Sequence, residues 1–289
     1  PGLRNINQQT TSTTTPVLLM RDGFPANYLD PSNVVLSRLL IRAANPDGEN
    51  AEYDQFAIGA ERQLFRDFAV SADFVTNIGR NIAVLRNLNQ PANGNGARPY
   101  PNFAHIQWRD PIGESSYVGL DMSAEKRWSG GYSARLAYTL SDARDQAPEH
   151  LSASSGRPQD TNNIAAWEGP SDFDVRHRFV GNFVAELPFG KGKRFLQDGP
   201  LSHVFGGWVV SGIYTARSGR PFTVTQGNLE GATWLPNLTG DPAGDKTVER
   251  WFNPSAFARV PAGTFGNAGR NIVEGPGFAT VNLSLLKNT

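Results

Sequence analysis

Residues 115–127, SSYVGLDMSAEKR, and the next segment, residues 132–142, YSARLAYTLSD, decide the fold of this chain. Apolar and polar residues alternate in the first segment, and the second repeats the pattern with Leu136, Tyr138 and Leu140. Alternation with a period of two indicates a β-strand that has one apolar and one polar side. The tight turn between the segments, WSGG at 128–131, predicts that the two strands form a hairpin.

The same design recurs along the chain. Residues 54–64 and 68–77 alternate around the short turn FRD, and further alternating segments lie near 174–187, 206–217 and 278–286. Long polar loops separate one hairpin from the next, and this asymmetry of short turns and long loops is typical of a transmembrane β-barrel. The sequence therefore predicts an all-β antiparallel meander of about seven strands, forming part of a transmembrane outer-membrane β-barrel with long extracellular loops.

Composition excludes several classes of function. The chain has 289 residues, with 27 basic and 27 acidic side chains, so no excess of charge favours nucleic acid as a partner. Cysteine is absent, which removes disulfides, thiolate metal sites and cysteine nucleophiles. No apolar run reaches the roughly 18 residues that a transmembrane helix needs.

The chain divides into two regions. Residues 1–50 are loop-like and are predicted to be an extracellular loop region with short strands at 16–20 and 34–41, whereas residues 51–289 are predicted to be a partial barrel wall. The chain opens with PGLRNINQQTTSTTT and ends within strand-like sequence, LSLLKNT. We therefore expect it to be an internal fragment of a longer protein.

Groups suited to catalysis are sparse. The four histidines, His105, His150, His177 and His203, lie in different segments without the spacing of metal ligands. No nucleophile–base set or phosphate-binding loop occurs, and carboxylates at 142, 145 and 149 carry no glycosidase motif. We expect no enzymatic activity, no cofactor and no metal. The charged segment DFDVRHR at 172–178 is predicted to form structural ion pairs where a loop enters the wall.

Several longer strings resemble one family, the TonB-dependent receptor-like outer-membrane proteins of the Oar-like branch. The strings are SSYVGLDMSAEKRWSGGYSARLAYTLSDARD, SDFDVRHRFVGNFVAELPFGKGKRF, GGWVVSGIYTARSGRPFTV, RWFNPSAF and GTFGNAGRNIVEGPGFATVNLSLLKN. Members often carry a carboxypeptidase regulatory-like domain at the N-terminus. The resemblance implies a barrel of about 22 strands with a plugged lumen, an outer-membrane location, and either TonB-energised uptake or surface-related export.

The chain departs from that family pattern in three features: it lacks a plug domain, a TonB box and a C-terminal strand that ends in an aromatic residue. About seven strands cannot close such a barrel. The resemblance therefore implies that this chain contributes wall and outer loops, that its partners are outer-membrane lipid and an unidentified small molecule or oligosaccharide, and that the TonB complex is reached through another part of the parent protein.

Alternation also predicts which way the strand residues point. One side is expected to form an outward apolar band, made of Val118, Leu120, Met122, Leu136, Tyr138, Phe179, Phe183, Val210 and Tyr214. The opposite side is expected to face the lumen with Asp121, Glu125, Arg135, Arg178, Asn182 and Glu186. In the loops, Trp167, Trp234 and Trp251 are predicted either to face a ligand or to pack the loops.

A second class of protein fits the same alternation. A soluble secreted β-sandwich could bind carbohydrate through loop tryptophans such as Trp108, Trp167, Trp234 and Trp251. The two alternatives differ in what meets the apolar strand face. In a barrel it meets lipid, whereas in a sandwich it packs against the apolar face of a second sheet.

Overall fold

The computed structural model describes residues 41–92, 94, 96–146, 157–229, 232–261 and 263–288. The short strand predicted at 16–20, and most of the region 1–50, lie outside the described residues. The elements are β1 (Ile41–Ala44), β2 (Glu52–Phe65), β3 (Phe68–Asn87), β4 (Ile106–Ser129), β5 (Tyr132–Asp145), β6 (Gly169–Pro170), β7 (His177–Glu186), α1 (Pro200–Phe205), β8 (Trp208–Arg217), β9 (Pro221–Phe222), β10 (Gly227–Leu229), β11 (Ala232–Trp234), β12 (Asn237–Leu238), β13 (Phe257–Ala258), β14 (Val273–Glu274) and β15 (Phe278–Lys287).

One large sheet dominates the structure. Its main path has the order β15-β8-β7-β5-β4-β3-β2, so each long strand of the sheet lies next to the long strand that follows it along the chain. All pairs along this path are antiparallel. The predicted antiparallel meander of about seven strands is thereby confirmed. The short strand β1 adds one parallel pairing, with β4.

Short connections lie at one end of the sheet. Between β4 and β5, Gly130 and Gly131 have positive φ angles of 63° and 86° and close the pair Ser129–Tyr132. Two central residues with positive φ are typical of a type I′ hairpin turn, in which glycine is favoured because it has no Cβ. A register shift between Lys126 and Ser129 follows the turn, and from Lys126–Ala134 to Ser115–Asp145 the hairpin is paired without a further shift.

The connection between β7 and β8 is longer than the predicted turn. It runs through residues 187–207 and contains the helix α1, whereas no helix was predicted. Pro200 lies in the first turn of α1, and Gly206 follows its last residue. A six-residue helix is too short to show a helical period in the sequence, which explains the difference.

Strands β3 and β4 extend well beyond their predicted ends. The register shifts between Gly79 and Ile82, and Asn81 adopts a positive φ of 55° there. This bulge interrupts the alternation, so the sequence pattern stops at residue 77 although pairing continues to Asn87. The hairpin of β3 and β4 therefore extends to the end of the sheet at which the long loops lie.

The packed core lies in the long loops, away from the sheet. Trp167, Leu235 and Ala268 are buried together, and Leu238, Phe257 and Ile272 pack against them. Most of the buried polar residues also belong to the loops or to strand ends next to them. The loops therefore form a structured cluster of their own.

The predicted β-sandwich alternative does not fit this arrangement. Within the described residues, the remaining sheets are two-stranded pairs in the loop cluster, and none covers the apolar side of the large sheet. Apolar side chains there remain open, including Ile58, which is 62% exposed, and Leu283, which is 69% exposed. Within the described part of the chain, no helix has the length and apolar character needed to cross a membrane.

Candidate functional site: a polar cleft at the loop end of the sheet

The strand register sorts the side chains into two faces. Met122 is paired with Tyr138, and Tyr138 with Phe179, so alternate positions of β4, β5 and β7 share one side. The same counting places all nine residues of the predicted outward band on one side, which we call the apolar face. Five of the nine are exposed: Val118, Met122, Leu136, Phe183 and Tyr214.

The opposite side, which we call the polar face, carries all six residues predicted to face the lumen. The six are Asp121, Glu125, Arg135, Arg178, Asn182 and Glu186. They do not converge on one point. Asp121 and Arg178 lie together toward the loop end, whereas Glu186 lies at the short-turn end and pairs with Lys193.

A cleft of about 600 Å³ opens on the polar face at the loop end. Its floor comes from β4, β5, β7 and β8, and one wall comes from the segment that precedes β7. The lining residues are Tyr117, Asp121, Thr139, Ser141, Ala143, Phe173, Asp174, Val175, Arg178, Thr215, Arg217, Arg220 and Phe278. This volume lies within the usual range for a small-molecule pocket, and most of the lining is polar.

One row of residues crosses the cleft floor from strand to strand. Asp121 is paired with Thr139, Thr139 with Arg178, and Arg178 with Arg217. The Thr139 hydroxyl donates a hydrogen bond of 2.5 Å to Asp121 Oδ1. The guanidinium of Arg217 lies 5.5 Å from the ring centre of Phe278. Negative charge therefore lies on one side of the row and positive charge on the other.

The second carboxylate of the cleft is held by the backbone. Asp174 Oδ1 accepts a hydrogen bond of 2.9 Å from the backbone N–H of Ala143. Burial raises the pKa of Asp174 above its ordinary value, and the hydrogen bond from Ala143 partly offsets this effect. Both acidic groups of the cleft thus have a defined local hydrogen-bond partner.

Arg270 anchors the loop cluster beside the cleft. Its side chain is 1% exposed, and Nη2 lies 2.5 Å from Asp145 Oδ1 at the end of β5. The guanidinium also donates to the backbone oxygens of Trp167, at 3.2 Å, and Gly169, at 3.1 Å. A buried charge that is paired and fully hydrogen-bonded ties residues far apart in sequence into one unit.

The three predicted loop tryptophans have different environments. Trp167 is 3% exposed and packs within the loop core, and it also lines a second cavity of about 360 Å³ among the loops. Trp234 is half-buried, and its Nε1 donates to the Thr264 oxygen at 3.3 Å. Trp251 is also half-buried, with Nε1 donating to the Glu274 oxygen at 2.7 Å. None of them lines the polar cleft.

The charged segment before β7 forms contacts within the protein. Arg176 pairs with Asp142 at 3.0 Å, and His177 Nδ1 lies 2.7 Å from the Tyr138 hydroxyl. Of the three carboxylates at 142, 145 and 149, Asp145 pairs with Arg270. The carboxylate at 149 lies outside the described residues. Among the described residues, no group of histidines and carboxylates is arranged to hold a metal ion.

Sequence reasoning missed part of the cleft. Arg217 is the last residue of β8, where alternation puts it on the polar side, and Arg220 lies in the loop just beyond it. The alternation of side chains along one strand does not show that Arg217 lies directly opposite Arg178, because that pairing depends on the register of β7 against β8. The long connection through residues 187–207 leaves this register open at the level of sequence.

Comparison with known proteins places the chain in a family. A family model described as "Outer membrane beta barrel domain" matches residues 2–289. No curated protein matches. Among solved structures, the outer membrane transporter YddB from Escherichia coli is similar with a TM-score of 0.44 and 11% identity, over 68% of this chain and 24% of that chain. The chain therefore belongs to the outer membrane beta barrel domain family, and its place is the outer membrane, in contact with lipid.

Proposed function

We propose that this chain is a barrel segment of a TonB-dependent receptor or transporter of the Oar-like type, and that it contributes wall and ligand-facing loops to energised uptake. The observation that carries the proposal is a single sheet with one apolar face, one polar face, and a polar cleft at its loop end. The strings that resemble the Oar-like branch support the finer assignment. Membership of the outer-membrane barrel family supports the coarser one.

In this proposal the two faces have different surroundings. The apolar face meets lipid around the wall, and the polar face with Asp121, Glu125, Arg135, Arg178, Asn182 and Glu186 looks into the lumen. Aromatic pairs at the short-turn end, such as Phe65–Phe68 with ring centres 6.3 Å apart, support a membrane interface there. The long loops then lie on the outer side, where a ligand enters.

We also propose that the chain has no catalytic role. The carboxylates beside the cleft are engaged by a hydroxyl, a backbone N–H or an arginine, and His177 lies against Tyr138. A general base would need to be free to reach a substrate proton. Reproducible turnover of an ester, glycoside or nucleotide by the purified protein, abolished by one substitution in the cleft, would contradict this.

A comparison of three strains tests the uptake proposal: the parent strain, a strain that lacks this protein, and a strain that lacks TonB. Each is grown in the same complex medium, and the compounds left in the spent medium are compared by mass spectrometry. We expect at least one compound to be consumed by the parent strain and left by both deletion strains. The proposal of energised uptake is wrong if every compound left by the strain without this protein is still consumed by the strain without TonB.

A further inference from the structure

Two arginines face each other across the floor of the polar cleft. Arg178 of β7 and Arg217 of β8 are directly paired, and both lie on the polar face. Arg220 lines the same cleft from the loop that follows β8. Like charges in directly opposite positions of neighbouring strands destabilise a sheet. Three guanidinium groups in one cleft therefore need an explanation.

Contacts within the protein do not explain why these three guanidinium groups share one cleft. Among the described residues, Arg178 and Arg220 form no ion pair or hydrogen bond through their side chains, and Arg217 contacts the ring of Phe278. The carboxylate of Asp121 accepts from Thr139, and that of Asp174 accepts from Ala143. Three positive groups thus share a cleft with two negative ones.

Several other arginines of the chain have a carboxylate partner. Arg86 pairs with Asp110 at 2.5 Å, Arg144 with Glu168 at 3.0 Å, and Arg176 with Asp142 at 3.0 Å. The pair Arg178–Arg217 is different because the two residues share an open volume of about 600 Å³ and no carboxylate bridges them. A bound anion placed between them would convert the repulsion into two charge-assisted contacts.

We infer that the cleft binds the anionic group of a ligand, a carboxylate or a phosphate, between Arg178 and Arg217, with Arg220 as the third cation. The planar guanidinium presents parallel N–H donors that match both kinds of group. Thr215, on the same floor, adds a hydroxyl beside the anion. This inference rests on the proposed function, because it names the chemical class of ligand that would enter from the loop side.

Binding of defined anions tests this inference. The full-length protein, purified from outer membranes in an uncharged maltoside detergent, is titrated with inorganic phosphate and, separately, with citrate by calorimetry at constant chloride. The test variant is Arg178→Gln combined with Arg217→Gln. The matched control is Arg66→Gln combined with Arg127→Gln, which removes the same charge at the short-turn end. Arg220→Gln is a third variant, in the loop, and it leaves the sheet unchanged.

We expect phosphate or citrate to bind the unaltered protein and the control equally. Each arginine removed from the cleft should weaken binding by about tenfold, because charge-assisted hydrogen bonds are lost. Preference for one of the two probes identifies the phosphate or the carboxylate class. In the absence of anion, the test variant should unfold at the same temperature as the unaltered protein or higher, because a repulsion has been removed.

Two results would overturn the inference. One is that neither anion binds the unaltered protein. The other is that an anion binds all variants, including Arg220→Gln, with equal affinity. The titration contains no TonB, so binding without TonB-dependent uptake would contradict the proposed function and leave the anion site standing. Uptake that depends on TonB, without anion binding, would contradict the anion site and leave the proposed function standing.

Discussion

Arg270 joins several segments of the loop cluster through its buried guanidinium. Replacing it by methionine leaves Asp145, which is 12% exposed, as a buried carboxylate without its partner. We expect Arg270→Met to cost about 3–5 kcal/mol of unfolding free energy, the usual penalty for breaking a buried ion pair. Urea unfolding in lipid vesicles, combined with limited proteolysis of the loops, measures this.

Arg250→Met provides the matched control. Its pair with Asp245 spans 3.5 Å between side chains that are 58% and 64% exposed. Such surface pairs contribute about 0–1 kcal/mol, so this variant should unfold almost as the unaltered protein does. Equal losses in the two variants would show that Arg270 does not anchor the loops.

Asp67, in the turn between β2 and β3, gives a prediction on pH. The hydrogen bond from Lys126 Nζ, at 2.8 Å, lowers the pKa of Asp67 below its ordinary value of 3.8. A carboxyl whose pKa is lower in the folded state stabilises the fold above pH 3.8, and this stabilisation is lost as the pH falls through the folded pKa. Asp67→Asn and Lys126→Met should therefore each flatten the acid limb of the stability curve. Unfolding followed from pH 6 down to about pH 2 would reveal it, and an unchanged acid limb in both variants would contradict the assignment.

At the scale of the element, strand β5 tests the two faces. Leu136 lies on the apolar face, is 46% exposed, and occupies the middle of the strand. Leu136→Arg should cost roughly 2–4 kcal/mol, the penalty for an arginine that faces lipid near the middle of the bilayer. Folding into lipid vesicles, followed by the heat-dependent shift on a gel, measures assembly.

Ala137→Arg is the matched control in the same strand. Ala137 is paired with Ser123 and Val180, and its side chain belongs to the polar face. An arginine there would meet water or other polar groups, so assembly should be close to normal. The assignment of faces fails if Ala137→Arg blocks assembly as strongly as Leu136→Arg does.

The sequence predicts elements well where alternation is unbroken. The pairing of β4 with β5 continues without a shift from Lys126–Ala134 to Ser115–Asp145, and β15 is found within one residue of its predicted end. Prediction fails where the period is interrupted. The bulge at Asn81 hides the second half of β3, and the connection that contains α1 hides the register of β7 against β8.

The candidate site was only partly predictable for the same reason. The alternation of side chains along each strand predicts that Asp121 and Arg178 lie on the polar face, and the structure brings both to one cleft. The role of Arg270, in contrast, depends on contacts more than one hundred residues apart in sequence, such as that with Asp145. Burial of Trp167 has the same origin, since its neighbours Leu235 and Ala268 come from distant loops.

For the whole molecule, the open apolar face predicts how the chain behaves outside a membrane. Strands β2 and β15 end the sheet, and their side chains include Phe56, which is 57% exposed, and Val281, which is 58% exposed. A large exposed apolar patch beside unpaired strand edges promotes association. Residues 1–289 expressed alone should therefore aggregate or need detergent. Size-exclusion chromatography without detergent tests this, and a monodisperse monomer with cooperative urea unfolding would contradict it.

The central claim is that this sheet is a barrel wall with lipid on one face and an aqueous lumen on the other. Because residues 1–289 contain no cysteine, single cysteines can be placed at each residue from 134 to 141 of β5. Any cysteine elsewhere in the full-length protein is first replaced by serine, and the single cysteines are then spin-labelled in lipid vesicles. Accessibility to oxygen, which concentrates in lipid, and to a water-soluble nickel complex is then measured at each position. We predict that oxygen accessibility peaks at 134, 136, 138 and 140, and that accessibility to the nickel complex peaks at the positions between them. Equal accessibility at all eight positions, or oxygen peaks at the odd-numbered residues, would contradict the account.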